Sequence, residues 1–106
     1  MNAVRPLPNL PPYRFVEHLA QFPFVESIVL YGSRARGNER ERSDIDIAIS
    51  APAADRNDWQ RVLDLVEDAD TLLEIDCVRL DDLAPGDRLR RSIETEGVVL
   101  YQRSPP

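Results

Sequence analysis

The sequence predicts an α/β (α+β) domain built as a small mixed β-sheet flanked by helices. Three observations lead there. Apolar runs of strand length, at 24–31, 44–50, 72–80 and 98–101, are separated by segments whose apolar residues recur at helical spacing. A short polar connection joins the exit of the first strand to the entry of the second, which favours an antiparallel pair. A helical stretch separates the second strand from the third, the crossover that a parallel pair needs. A chain of 106 residues buries roughly 60–70% of its unfolded surface, enough for one such sheet and no second lobe. The expected organisation is one domain over 1–106, with a proline-rich arm at 1–11 and a frayed tail at 104–106.

Element by element, Pro6, Pro8, Pro11 and Pro12 make the entry extended, and a helix begins near Pro12. It ends before Pro23, with Tyr13, Val16, Leu19 and Ala20 facing the core and His18 on the surface. The first strand is Phe24 to Tyr31 and the second Asp44 to Ser50. Pro52 stops the second strand. Trp59, Val62, Leu63 and Val66 then define a helix over about 55–69, with Trp59 in the core. The third strand is Leu72 to Leu80. The last helix, Asp87 to Glu96, contributes Leu89 and Ile93, ends at Gly97 in a left-handed cap, and leads into the strand Val98 to Tyr101.

Composition removes several function classes. All 13 basic residues are arginine, so a lysine-dependent phosphate loop, a Schiff base and a lysine nucleophile are excluded. A net charge of −6 argues against broad nucleic-acid binding, which needs an extended cationic surface. No apolar run approaches the ~20 residues of a membrane span, and no signal peptide is evident, so the expected setting is cytoplasmic. Cys77 is the one cysteine. It lies in an apolar run and reads as a small core residue.

The chemistry concentrates between Tyr31 and Ile49, YGSRARGNERERSDIDIAI. Each piece has a bland reading: Asp-x-Asp arises by chance among 19 acidic residues, Gly-Ser is a common turn, and four arginines in a loop are commonly solvated. Their conjunction is more specific. Gly32 lets a backbone approach a phosphate, and Ser33 offers a hydroxyl at a short helix start. Asp44 and Asp46, two apart on a strand, project to one face while Ile45, Ile47 and Ile49 turn to the core. Paired carboxylates suit Mg²⁺, a hard cation that takes one or two of them with waters and phosphates. Arg34, Arg36, Arg40 and Arg42, offset by Glu39 and Glu41, form a local basic patch, with Arg34 and Arg36 the preferred phosphate contacts. On the third strand Glu74 and Asp76 also share a face, and one of them could complete a carboxylate triad.

Gly32-Ser33, ten intervening residues and Asp44-Ile45-Asp46 resemble the core motif of the DNA polymerase beta-type nucleotidyltransferase superfamily. GSRARG followed by SDIDIAI is similar in spacing and wording to its minimal nucleotidyltransferase (MNT) group, and the resemblance covers nearly the whole chain. It implies a polymerase beta-type palm using ATP and two Mg²⁺ ions, with the third carboxylate on the third strand. Asp76 in EIDCV fits that position best, and Glu74 is the runner-up. The implied catalytic and metal-holding set is thus Asp44, Asp46 and Asp76, with Gly32, Ser33, Arg34 and Arg36 on the nucleotide. The resemblance further implies an antitoxin that meets a HEPN-type toxin in a hetero-oligomer and transfers AMP from ATP to a toxin tyrosine. Two other readings differ in class: an antitoxin that neutralises by binding alone, and nucleotidyl transfer to a small molecule, for which the chain lacks an evident second substrate region.

Overall fold

The computed structural model describes residues 4–7, 13–40 and 42–104. The expectations for Pro8, Pro11, Pro12 and the last two prolines fall outside the described residues. Four strands, β1 (Ser27–Tyr31), β2 (Ile45–Ser50), β3 (Ile75–Arg79) and β4 (Val98–Gln102), form one sheet in the order β3-β2-β1-β4. β1 is antiparallel to β2 and β4, and β2 is parallel to β3. This is the mixed sheet expected from the connections. The helices are α1 (Arg14–Gln21), α2 (Ser33–Arg36), α3 (Arg56–Glu67) and α4 (Arg88–Glu96), with a 3-10 turn at Leu80–Asp82. No helix among the described residues is long and apolar enough to cross a membrane.

The main core lies on one face of the sheet. Ile28, Leu30, Ile45, Ile47 and Ile49 are fully buried there against Phe15, Val16 and Leu19 of α1 and Val62 of α3. Phe15 belongs with them although helical spacing alone had not placed it, while Tyr13, Ala20 and Trp59 are half-buried at the margin. Leu63 and Leu89 were expected inside and are instead exposed, because Val62 and Ile93 occupy the inward positions of their helices.

Several boundaries are shorter than the apolar runs suggested, each for a local reason. β1 begins at Ser27, because Phe22 to Val25 form a reverse turn with the Val25 N–H on the Phe22 carbonyl at 3.1 Å and proline at its second position. Arg103 fastens that turn, donating to the Phe22 and Val25 carbonyls at 3.0 and 3.2 Å. β3 starts only at Ile75; Leu72 is fully exposed, and the Thr71 hydroxyl accepts from the Leu73 N–H at 3.0 Å in a local turn. α3 starts in a reciprocal capping box between Asp55 and Asp58. Arg79 of β3 then ties down the connection ahead of it, donating to the carbonyls of Ala51 and Ala54 at 2.7 and 2.8 Å.

Gly97 corrects an expectation. Its φ of −68° and ψ of 150° are extended, not left-handed, because β4 begins at the next residue. Glycine is required for close approach: a Cβ there would strike the Ile93 carbonyl oxygen and Val29 Cγ1. Val4–Leu7 run beside β4, the Arg5 N–H donating to the Leu100 carbonyl at 2.7 Å, with Leu7 buried.

Candidate active site

The second face of the sheet is only partly covered. Ile93 of α4 packs there on Ala48 and Tyr31, with Val29, Val78, Leu80 and Leu83 around them. Beyond this small cluster, strand register lines up one row of polar side chains. Tyr31 pairs with Asp46, and Asp46 with Asp76, so the three stand side by side across β1, β2 and β3. Neighbouring strands lie about 4.8 Å apart, and side chains of one row share a face.

Asp44, expected to open the second strand, stands just ahead of β2 and is exposed. Asp46 is half-buried, and its carboxyl is pushed above the usual aspartate range, first by burial and then by the negative charges of Asp76 and Asp44; Arg36 and Arg34 oppose the shift. Three carboxylates and two guanidiniums thus act on one another electrostatically. Glu74 lies one row further, its carbonyl accepting from the Ile45 N–H at 2.9 Å. It is not among the charges that perturb Asp46.

Gly32 is fixed by two independent constraints. Its φ of 74° and ψ of −155° are open to glycine and strained for other residues, and a Cβ would collide with Asp46 Oδ2. The Gly-Ser turn is therefore pressed against the carboxylate row. Ser33 opens α2, and Gly37 closes it in the left-handed conformation, φ 79°.

The two preferred arginines have different surroundings. Arg34 is 3% exposed, and its Nε and Nη2 donate to the Ser43 carbonyl at 3.1 and 2.7 Å. It thereby fastens the start of the arginine-rich loop to the residue before Asp44. Arg36 is on the surface, its Nη1 3.5 Å from Glu96 Oε2 of α4. Arg40 and Arg42 are exposed further along the loop.

Tyr31 is the residue that sequence reasoning left out of the site. It is buried, and its phenol is pushed up to about 12 by burial and by Asp76 and Asp46, so it stays protonated beside the carboxylates. Its strand parity, opposite to Ile28 and Leu30, was the available signal. Burial likewise pushes the Cys77 thiol up to about 12, with Asp76 adding to it. A thiol so placed is no nucleophile, in keeping with its reading as a packing residue.

Among the described residues no three His, Cys, Asp or Glu side chains are gathered closely enough to enclose a metal ion by themselves. The donor set still fits Mg²⁺, which takes one or two carboxylates and completes its shell with water and phosphate oxygens. Burial first, and then the repulsion of Asp76 and Asp44, raise the Asp46 carboxyl, and a hard divalent cation relieves that repulsion.

A four-stranded mixed sheet with a glycine-serine turn set against paired strand carboxylates defines the palm of a nucleotidyltransferase. Residues 15–106 match the family described as polymerase beta, nucleotidyltransferase, and the chain belongs to that family. Among solved structures it is similar to a chain of a toxin–antitoxin crystallised with AMP-PNP. There the identity is 25% and the TM-score 0.60, over 85% of this chain and 73% of the other. It is also similar to a chain of a mutant of the toxin–antitoxin MntA–HpeT, at 26% identity and TM-score 0.58, over 85% of this chain and 68% of the other. No protein of curated function matches the chain in sequence.

Proposed function

We propose that this chain is a Mg²⁺-dependent nucleotidyltransferase that moves AMP from ATP to a tyrosine hydroxyl of a HEPN-type toxin, serving as the antitoxin of a cytoplasmic hetero-oligomer. The observation that carries the reading is the register of Asp46 with Asp76 on adjacent parallel strands, with the Gly32 turn pressed against Asp46. Support for a toxin partner comes from the similar structures, one a toxin–antitoxin with AMP-PNP and another MntA–HpeT.

Asp44, Asp46 and Asp76 would hold the metal. When bound, Mg²⁺ would supply charge neutralisation along the triphosphate and at the attacking and leaving oxygens. The chain's own residues do the positioning. Gly32 and Ser33 receive the phosphate tail through backbone and hydroxyl, with no Cβ in the way. Arg36 extends a surface guanidinium toward the same charge. Arg34, fixed on the Ser43 carbonyl, keeps the loop and Asp44 in place beside that turn. Asp76 lies on β3, an edge strand of the sheet, where it would meet the acceptor. The acceptor oxygen bonds to the α-phosphorus as the bond to pyrophosphate breaks, and the hydroxyl proton is released.

The test is incubation with labelled ATP, Mg²⁺ and the product of the adjacent gene, followed by mass spectrometry of that partner. AMP on a partner tyrosine is the expected result. Neutralisation of the partner without label would overturn transfer in favour of neutralisation by binding.

A further inference from the structure

The two edges of the sheet are treated differently. Beside β4 runs the Val4–Leu7 segment, whereas among the described residues nothing pairs with the outer edge of β3. Because the Glu74 carbonyl points to β2, Ile75 and Cys77 direct their backbone N–H and C=O groups outward. A groove of about 460 Å³ runs along this edge, walled by Leu63, Val66 and Ala69 from the α3 end. Side chains from both faces of β3, Ile75 and Cys77 on one and Glu74 and Asp76 on the other, line it. A second groove, which shares Leu73 and Glu74, continues to Asp44. The charged residues of the first groove, Glu67, Glu74 and Asp76, are all acidic.

We infer that the β3 edge is the docking site for an extended, basic segment of the partner protein, which adds as a strand and carries the acceptor hydroxyl to Asp76. The inference rests on the transfer reading for its last clause only. Strand addition gives affinity through main-chain hydrogen bonds, and side-chain pockets select the sequence. Here the apolar wall of α3 takes an aliphatic or aromatic side chain, and Glu67 and Glu74 take arginine or lysine on either side. A second copy of this chain is a poorer occupant, since its own β3 edge would bring Glu74 and Asp76 against like charges.

The test uses the intact chain and a synthetic five-residue probe, Arg-Val-Tyr-Val-Arg with blocked ends, against the same peptide with glutamate for arginine. Neither ATP nor Mg²⁺ is added, so failure here leaves nucleotidyl transfer standing, and failed labelling leaves docking standing. Expected are amide shifts and slowed hydrogen exchange at Ile75 and Cys77 with the basic peptide alone. Glu67→Arg and, separately, Leu63→Arg should each weaken it at least fivefold; both positions are exposed, so both variants fold. Equal response to the acidic peptide, protection elsewhere than β3, or indifference to both variants would overturn the assignment. A concentration-dependent dimer protecting the same amides would also overturn it, giving the edge to a second copy.

Discussion

The two faces of β2 come from one six-residue strand yet have opposite chemistry. Ile45, Ile47 and Ile49 are wholly buried against α1 and α3, while Asp46, between them in sequence, stands half-buried in a row of charge on the other side. One face holds the sheet together by removing apolar area from water. The other half-buries a carboxylate beside like charges, and the Asp46 carboxyl is raised by that burial first and by Asp76 and Asp44 second. A protein retains such repulsion where a ligand relieves it. Stability and the proposed activity are therefore expected to separate between neighbouring residues.

The largest expected effect lies on the charged face. Asp46→Asn, alone or with Asp44→Asn, should abolish AMP transfer, a loss of about 10³-fold or more as for removal of other preorganised charge-stabilising groups. The same change removes a repelling charge, so the melting temperature should hold or rise. Wild-type transfer by the double variant, or its unfolding, would break the separation of the faces. Asp76→Asn should approach this loss. Glu74→Gln should not, because Glu74 lies outside the row that perturbs Asp46.

On the apolar face the expectation reverses. Ile47→Ala deletes a fully buried side chain and should cost about 2–5 kcal/mol by denaturant melts, while kcat of the protein still folded stays near wild type. Gly32→Ala bridges the faces. The strained backbone should cost about 1–3 kcal/mol, and the Cβ meets Asp46 Oδ2, so stability and transfer should fall together, unlike in either variant above.

Alternation made both faces legible from sequence. Asp44-Ile45-Asp46-Ile47-Ala48-Ile49 can be read in only one strand phase, and the helical crossover after it announced the parallel neighbour. Tyr31 was legible only in part: its parity puts it on the face opposite Ile28 and Leu30, but its place beside Asp46 depends on the register between β1 and β2. The burial of Arg34 was not legible: arginine is almost never buried unless paired, and one of its partners is the Ser43 backbone carbonyl, which side-chain patterns do not reveal. Gly97 showed the same blindness to tertiary contact. A glycine after a helix suggests a left-handed cap, but what requires it here is the nearness of the Ile93 carbonyl oxygen and of Val29 on another strand.

The smallest effect concerns the ion pair between Arg36 on the open face and Glu96 of α4. Arg36 and Glu96 are both about half exposed, with 45% and 47% of their side-chain surface in solvent, and such pairs contribute about 0–1 kcal/mol. Glu96→Gln should therefore leave stability within about 0.5 kcal/mol of wild type. Its effect should fall on nucleotide binding, because Arg36 no longer divides its charge between Glu96 and an incoming triphosphate. Titration with a non-hydrolysable ATP analogue at low salt should show tighter binding by a few-fold, fading as salt screens the exposed charges. If affinity is unchanged in Glu96→Gln and also in Arg36→Ala, Arg36 is no phosphate contact, and the charge on the open face serves the carboxylate row alone.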